Sequence, residues 1–241
     1  MIPTVRDWAQ TDIGTVRRHN EDAYLIRSDL GLWAVADGAG GHQSGDLAAS
    51  MIVAGLERLP AELTANEMLS AVRQAVTETH QALIEEAGRR GKGTTIASTV
   101  VALVLRNSHF ACLWAGDSRA YLLRDGELMR ISRDHSLVQE LVDAGRLTAA
   151  EAEHHPQSNI ITRAVGVDDG ALDLEKTIGE ARKGDRFLLC SDGLSKTVPE
   201  SEIAALLGRD QHVSPATLLI EAALARRTDD NATAVVVEIT G

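Results

Sequence analysis

Aromatic side chains are scarce in this sequence and make up only 3% of its 241 residues. The core therefore has to be built from Val, Leu, Ile and Ala, which dominate an apolar fraction of 44%. A chain of this length buries enough apolar surface to fold without disulfides, and it suits one large domain or two small ones.

Cysteine is nearly absent as well. The two cysteines, Cys112 and Cys190, both lie inside apolar runs, which indicates buried thiols. No CxxC pair or Cys/His cluster accompanies them, so they do not form a structural zinc site by themselves. Nothing in the cysteine pattern requires an oxidising compartment.

A basic surface and a long apolar run are also missing. The net charge is −11, whereas nucleic-acid binders and proteins that dock on anionic lipid need a basic face. The longest apolar run, Ile96–Leu105, is far shorter than the roughly 20 residues of a membrane helix. The first residues lack the apolar stretch of a signal peptide. We therefore expect a cytoplasmic protein with no nucleic-acid or membrane partner.

Short polar turns, such as Asn107-Ser108 and Asp125-Gly126, separate many of the strand-like runs. Such short connections indicate antiparallel pairing, because parallel strands need a long crossover. The predicted strands are Ala23–Arg27, Leu32–Ala36, Ile96–Leu105, His109–Ala115, Arg119–Leu123, Leu128–Ile131, Leu172–Thr177, Arg186–Cys190 and Ala232–Ile239. The predicted helices are Asp46–Leu59, Asn66–Ala87, Pro199–Leu207 and Pro215–Arg226, the last capped by Ser214. This pattern predicts an α+β fold.

One polar segment, residues 134–163, stands apart from the predicted strands. It carries His135, His154 and His155, and its pattern indicates short helices. We predict that it is an insertion over one edge of the sheets. With no repeat, low-complexity tract or flexible linker in view, the chain is expected to form a single domain over 1–241.

Acidic residues recur where predicted strands meet turns. They are Glu21 and Asp22 before the first strand, Asp37, Asp117 and Asp192 after three later strands, and Asp229 and Asp230 before the last. One such Asp-Gly pair is an ordinary turn signal. Five such places in one chain predict that several carboxylates converge at a shared sheet edge.

The negative charges of carboxylates that converge at one place must be balanced. Two like charges about 4 Å apart repel by about 4 kcal/mol at an effective dielectric near 20. The groups therefore either become protonated or bind divalent cations, and hard oxygen ligands favour magnesium, manganese or calcium. Arg17, just upstream of Asn20-Glu21-Asp22, presents a planar fork that fits two phosphate oxygens, or it is simply a surface arginine.

Several hydrolase chemistries do not fit the sequence. A cysteine phosphatase needs Arg six positions after its Cys, and neither Cys112 nor Cys190 has one. An aspartyl-phosphate mechanism of the dehalogenase type needs Asp-x-Asp, but Asp37 is followed by Gly and Ala. There is no GxSxG elbow and no P-loop.

The residues resemble the metal-dependent protein phosphatases of the protein phosphatase 2C type, particularly the compact bacterial members. Eight motifs carry the resemblance in order: Gly14–Asp22, Asp37–His42, Gly93–Thr95, Ala115–Tyr121, Arg133–Ser136, Ile161–Gly166, Cys190–Leu194 and Asp229–Thr233. Each motif is weak alone, and the ordered set is specific.

This resemblance implies a central antiparallel β-sandwich flanked on both faces by antiparallel helices, with residues 134–163 as a mobile flap. It implies two Mg²⁺ or Mn²⁺ ions bridged by Asp37. By the family pattern, Asp192 and Asp230 complete the shell of one ion. The Gly38 carbonyl serves the other ion, together with Glu21 and Asp22, mainly through water. Asp117 with Asp192 matches a third, weaker metal site.

The resemblance also implies that Arg17 binds phosphate and that a metal-bridging hydroxide attacks phosphorus directly, without a phosphoenzyme. Where some members carry the proposed general-acid histidine after Asp-Gly, this chain has Ala39. His42 is the nearest candidate for the proton donor, and a structural role in the glycine-rich turn is an equal alternative.

The predicted function is hydrolysis of phosphoserine and phosphothreonine in proteins by a monomer. A Ser/Thr kinase and its substrates are the expected partners. Two alternatives stay open at this point. One is a non-catalytic phosphoprotein-binding relative, which would be expected to lose metal ligands. The other is a metal-dependent hydrolase of small phosphoesters.

Overall fold

The computed structural model describes residues 2–39, 44–91, 93–167, 170–209 and 213–241. Two antiparallel sheets account for most of the described strands. The first sheet has the order β1 (Val5–Asp12), β11 (Ala232–Ile239), β10 (Arg186–Cys190), β7 (Arg119–Arg124) and β8 (Glu127–Arg130). The last strand in the sequence thus lies between the first strand and β10.

The second sheet has the order β2 (Asp22–Arg27), β3 (Leu32–Ala39), β5 (Val100–Arg106), β6 (His109–Ala115) and β9 (Glu175–Glu180). A two-residue strand, β4 (Ala97–Ser98), also pairs with β3. A short 3-10 helix, Ser28–Leu30, connects β2 to β3. Every pairing between these strands is antiparallel, as the short connections predicted.

The described helices are α1 (Gly45–Glu57), α2 (Ala65–Arg90), α3 (Leu137–Asp143), α4 (Ala149–Glu153), α5 (Asp192–Ser195), α6 (Glu200–Leu207) and α7 (Pro215–Ala225). Helix α2 begins with a capping box between Thr64 and Glu67. The predicted cap of α7 is confirmed, since the Thr217 amide donates to Ser214 Oγ at 3.3 Å.

Three apolar clusters fill the spaces between the layers. The middle cluster joins the inner faces of the two sheets, where the rings of Phe110 and Phe187 lie 5.1 Å apart. A second cluster packs α1 and α2 on the outer face of one sheet, and a third packs α6 and α7 on the other. The α+β fold with α-β-β-α layers is therefore confirmed.

Three details differ from the sequence prediction. Strand β1 was missed, because its polar sequence gains strand structure only through pairing with β11. The predicted strand Ile96–Leu105 is interrupted at Thr99, which separates β4 from β5. The strand predicted at Leu172–Thr177 lies at Glu175–Glu180 instead, where it pairs with β6 from Trp114 to His109.

Two sequence expectations about apolar segments can be compared with the structure. Both cysteines are free and buried, as predicted. Among the described residues, the structure has no helix that combines the length and apolar character of a membrane span.

Candidate metal centre

The first pair of candidate carboxylates comes from one sheet. Asp22 begins β2 and lies directly opposite Asp37 in the pairing register with β3. Thr99, at the interruption between β4 and β5, holds the backbone of Asp37 from both sides. The Thr99 amide donates to Asp37 O at 2.8 Å, and the Asp37 amide donates to Thr99 Oγ1 at 3.2 Å. The interruption therefore serves to fix Asp37.

The other sheet supplies Asp192 and Asp230. Asp192 opens the one-turn helix α5 after β10, and Asp230 lies two residues before β11. Gly193 allows these two segments to approach each other closely, because a Cβ at this position would lie 2.1 Å from Asn231 O. Two acidic residues that are 38 positions apart in sequence are thus held at one end of the sheet.

Hydrogen bonds join the two sheets at this end. Asp22 Oδ2 accepts from Ser191 Oγ at 2.7 Å and from Thr233 Oγ1 at 2.6 Å. Thr233 belongs to β11 of the other sheet, and Ser191 directly follows β10 of that sheet. Asn231 adds a second link, because its Oδ1 accepts from the Glu21 amide at 2.8 Å. The candidate carboxylates therefore meet where the two sheets come together.

Crowding and desolvation raise the pKa values of these carboxyl groups. Desolvation is the main cause at Asp37, and the negative charges of Asp22, Asp192, Asp117 and Asp230 add to it, so the Asp37 pKa lies well above its usual range. Desolvation and Asp192 also raise the pKa of Asp22 to about 7. The smaller contribution from neighbouring aspartates is the mutual repulsion that the sequence predicted.

Two side-chain cations lie among the carboxylates. Lys196 Nζ lies 2.9 Å from Asp117 Oδ2 and 2.8 Å from Asp192 Oδ2. Arg17 Nη2 lies 2.7 Å from Asp230 Oδ2. In the described ranges, no three His, Cys, Asp or Glu side chains are arranged to hold one ion together. Lys196 and Arg17 thus balance part of the negative charge of the aspartates.

The remaining oxygen atoms nevertheless fit divalent cations. Three buried carboxylate oxygens have no hydrogen-bond partner within the described structure, namely Asp22 Oδ1, Asp117 Oδ1 and Asp192 Oδ1. A buried carboxylate oxygen without a partner is costly, and a hard cation with oxygen preference would satisfy it. The donor set is all oxygen, which suits Mg²⁺ and Mn²⁺ and does not suit zinc or copper.

The other predicted residues lie around this centre. Gly38 continues β3 and packs against α1 so closely that a Cβ would meet Gly45 O at 2.2 Å. The Glu21 carboxylate lies at the start of α1, and the Gly45 amide bonds to it. Desolvation and Asp46 raise the Glu21 pKa. His42 lies among residues 40–43, outside the described residues.

Arg17 lies at the exposed rim of the centre. Its side chain is 53% exposed, and the ion pair with Asp230 is its described contact to the acidic cluster. The hydrogen bond to Asp230 is the main cause that raises the Arg17 pKa. The guanidinium is therefore charged, accessible from solvent and adjacent to the candidate metal ligands.

The segment 134–163 is fixed beside the same centre at its first residues. Asp134 forms an ion pair with Arg119 of β7 at 2.7 Å. His135 exchanges two hydrogen bonds with Gly116, one from the His135 amide and one to its Nδ1. The segment 134–163 contains α3 and α4, which are the short helices that the sequence predicted.

Four supporting residues of the centre were missed by the sequence prediction, namely Thr99, Ser191, Lys196 and Asn231. Of these four, only Lys196 could have been identified from the sequence. It lies four positions after Asp192, and oppositely charged side chains at that spacing meet on a helix. The hydroxyl and amide contacts of the other three depend on how the two sheets meet, which no local pattern reveals.

Comparison with known proteins gives a consistent result over nearly the whole chain. The family described as Protein phosphatase 2C matches residues 15–229. The serine/threonine protein phosphatase PstP of Mycobacterium tuberculosis is 37% identical over 231 residues, which cover 96% of this chain and 44% of PstP. The chain therefore spans less than half the length of that relative.

Solved structures agree with the sequence comparison. PppA, described as a key regulatory component of T6SS in Pseudomonas aeruginosa, superposes with a TM-score of 0.90 at 42% identity and 98% coverage of both chains. The catalytic domain of PstP in complex with two manganese ions gives a TM-score of 0.87 at 36% identity, over 98% of this chain and 99% of that one.

Proposed function

The chain belongs to the protein phosphatase 2C family, and from this membership we propose that it is a metal-dependent phosphatase acting on phosphoserine and phosphothreonine in other proteins. One observation carries the proposal. Five aspartates meet where the two sheets come together, namely Asp22, Asp37, Asp117, Asp192 and Asp230. Asp22 lies opposite Asp37 and accepts hydrogen bonds from Ser191 and Thr233 on the side of the other sheet. Lys196 in turn joins Asp192 to Asp117.

The proposed metal core uses the oxygen atoms of this cluster. Asp37 would contribute to both ions, with Asp192 and Asp230 beside it for one ion. Glu21, Asp22 and the Gly38 carbonyl would serve the second ion, the two carboxylates mainly through water. When bound, two Mg²⁺ or Mn²⁺ ions lower the pKa of water and neutralise charge on the phosphate. The two manganese ions of the PstP catalytic domain support this number.

The side chains of the chain itself hold the reacting groups in place. Arg17 is proposed to bind two phosphate oxygens through its planar fork. Ser191 and Thr233 fix the Asp22 carboxylate, so that its free oxygen keeps one direction. His42 stays the proposed proton donor to the leaving hydroxyl group, with a structural role as the alternative.

The wider setting is also a proposal. Phosphorylated proteins are the proposed substrates, with a Ser/Thr kinase and its targets as partners, and the chain is proposed to act as a cytoplasmic monomer. Residues 1–241 would form one phosphatase domain, in which the segment 134–163 influences substrate choice. The ion pair between Asp134 and Arg119 supports this placement, because it fixes the segment to a strand that leads from Asp117.

A metal-removal assay tests the proposed activity. Phosphate release from a phosphothreonine peptide is expected to stop in EDTA and to return with excess Mn²⁺ or Mg²⁺, since the carboxylates cannot activate water alone. Full activity in EDTA would contradict the proposal. Comparing kcat/KM for a phosphoprotein and a sugar phosphate separates the protein phosphatase from a hydrolase of small phosphoesters.

Arg17→Ala tests the phosphate site. We expect KM for the peptide to rise by roughly tenfold with a smaller change in kcat, because charge-assisted hydrogen bonds to the phosphate are lost. Arg18→Ala is the matched control, since it removes the same charge from the neighbouring exposed position. An unchanged KM in Arg17→Ala would exclude Arg17 from phosphate binding.

A further inference from the structure

Lys196 occupies an unusual place beside the candidate metal centre. It follows α5 directly, and its side chain returns toward the end of β6, where Asp117 is buried with 2% of its side chain exposed. Its ammonium group contacts Asp117 Oδ2 at 2.9 Å, Asp192 Oδ2 at 2.8 Å and Asn159 Oδ1 at 3.1 Å. Asn159 belongs to the segment 134–163.

These three contacts match the chemistry of an ammonium group. A lysine ammonium has three N–H donors and no acceptor, and here three oxygen acceptors surround it. Two carboxylate oxygens lie within 2.9 Å of the ammonium, so its positive charge is compensated where it lies. Lys196 is therefore a fixed positive charge between the two carboxylates.

A divalent ion held by Asp117 Oδ2 and Asp192 Oδ2 would have to occupy the space of the ammonium group. The two oxygens that face each other across this space both already contact Lys196 Nζ. A second cation placed there would be repelled by the ammonium at short range. An ion held instead by the unpartnered Oδ1 atoms of the same two carboxylates would lie close to the ammonium and be repelled by it. The single positive charge of Lys196 thus already balances part of the negative charge on Asp117 and Asp192, the pair that the resemblance assigns to a third metal ion.

We propose that Lys196 takes the place of a third divalent ion, so that the chain binds two ions and not three, and that its bond to Asn159 positions the segment 134–163 against the centre. This inference rests on the proposed function for its role in catalysis. Lys196 acts through the carboxylates and the segment and is a positioning residue.

Counting bound Mn²⁺ tests the first half of the proposal without any activity assay. The metal-free chain is titrated with Mn²⁺, and free Mn²⁺ is measured by electron paramagnetic resonance. We expect two ions per wild-type chain and three per Lys196→Ala chain. Lys196→Arg, which keeps the positive charge, is expected to return to two. Lys183→Ala removes an exposed lysine at the opposite end of β10 and is expected to bind two.

Any other ion count contradicts the proposal that Lys196 takes the place of a third ion. Three ions in the wild-type chain, or two in a folded Lys196→Ala chain, would show that Lys196 does not replace an ion. A wild-type chain that binds no Mn²⁺ would contradict the proposed metal core as well. Circular dichroism establishes that each variant is folded before ions are counted.

Hydrogen exchange tests the bond to the segment. Asn159→Ala is expected to speed amide exchange in peptides within 134–163 while the number of bound Mn²⁺ ions stays at two. Lys196→Ala should speed exchange in the same peptides, and Lys183→Ala should not. Unchanged exchange in Asn159→Ala would overturn the positioning role and leave the ion count as a separate result.

Discussion

Asp37→Asn is expected to lower kcat/KM for a phosphothreonine peptide by about a thousandfold or more and, at the same time, to stabilise the metal-free chain. Activity falls because the amide cannot supply the negative charge that both proposed ions share. Stability rises because the Asp37 carboxylate is desolvated and repelled by four neighbouring aspartates, which raises its pKa. Opposite effects on activity and stability are typical of residues strained for function.

The stability gain should depend on pH with a defined sign. A carboxyl group whose folded-state pKa is raised destabilises the folded chain at any pH above its unfolded pKa of about 3.9. The gain in unfolding free energy of Asp37→Asn over the wild-type chain should therefore be small near pH 4 and grow as pH rises toward 8. Thermal unfolding in EDTA at several pH values measures it.

A matched control separates this effect from a general loss of charge. Asp125→Asn removes one exposed carboxylate at the turn between β7 and β8, where the backbone φ of 52° suits Asn. It is expected to leave activity and the pH dependence of Tm unchanged. An active Asp37→Asn chain, or one less stable than wild type in EDTA at pH 8, would contradict the role of Asp37.

Gly193→Ala should destabilise the chain by about 2 kcal/mol or more and weaken Mn²⁺ binding as well. The added Cβ would lie 2.1 Å from Asn231 O, and both sides of this contact are backbone, so neither can move cheaply. Relief of the clash requires α5 to move away from the start of β11. That movement separates Asp192 from Asp230, which are proposed to bind the same ion.

Gly88→Ala is the appropriate control for this substitution. Gly88 lies in α2 with no atom within 4 Å of the added Cβ, so Ala should stabilise the chain by about 1 kcal/mol through helix propensity. Urea unfolding and Mn²⁺ titration measure both variants. A Gly193→Ala chain as stable as wild type would show that α5 and β11 are not held as closely as the structure indicates.

The sequence predicted strands best where burial on both faces makes a continuous apolar run. Leu32–Ala36 is such a run, and its five residues are fully buried in β3. It predicted β1 worst, because that strand has the polar sequence of an edge and pairs with a strand more than 200 positions away, as Asp12 does with Ala232. Non-local pairing of this kind leaves no periodic signal.

The same contrast holds in the candidate site. The aspartates were identified because each follows or precedes a strand, and antiparallel sheets bring such ends together. The role of Lys196 was not identified, because the partner that distinguishes it from an ordinary helix pair is Asp117, 79 positions away. Local spacing predicted the acidic residues, whereas the cation between them follows from tertiary structure.

The position of β11 has a consequence for how the protein is made. This strand lies between β1 and β10, and Asp230 and Asn231 immediately precede it. During synthesis on the ribosome, β1 has no partner in its sheet until β11 has emerged from the exit tunnel. A nascent chain therefore cannot assemble the acidic cluster early, and the proposed phosphatase activity should begin only once this strand has been made and inserted.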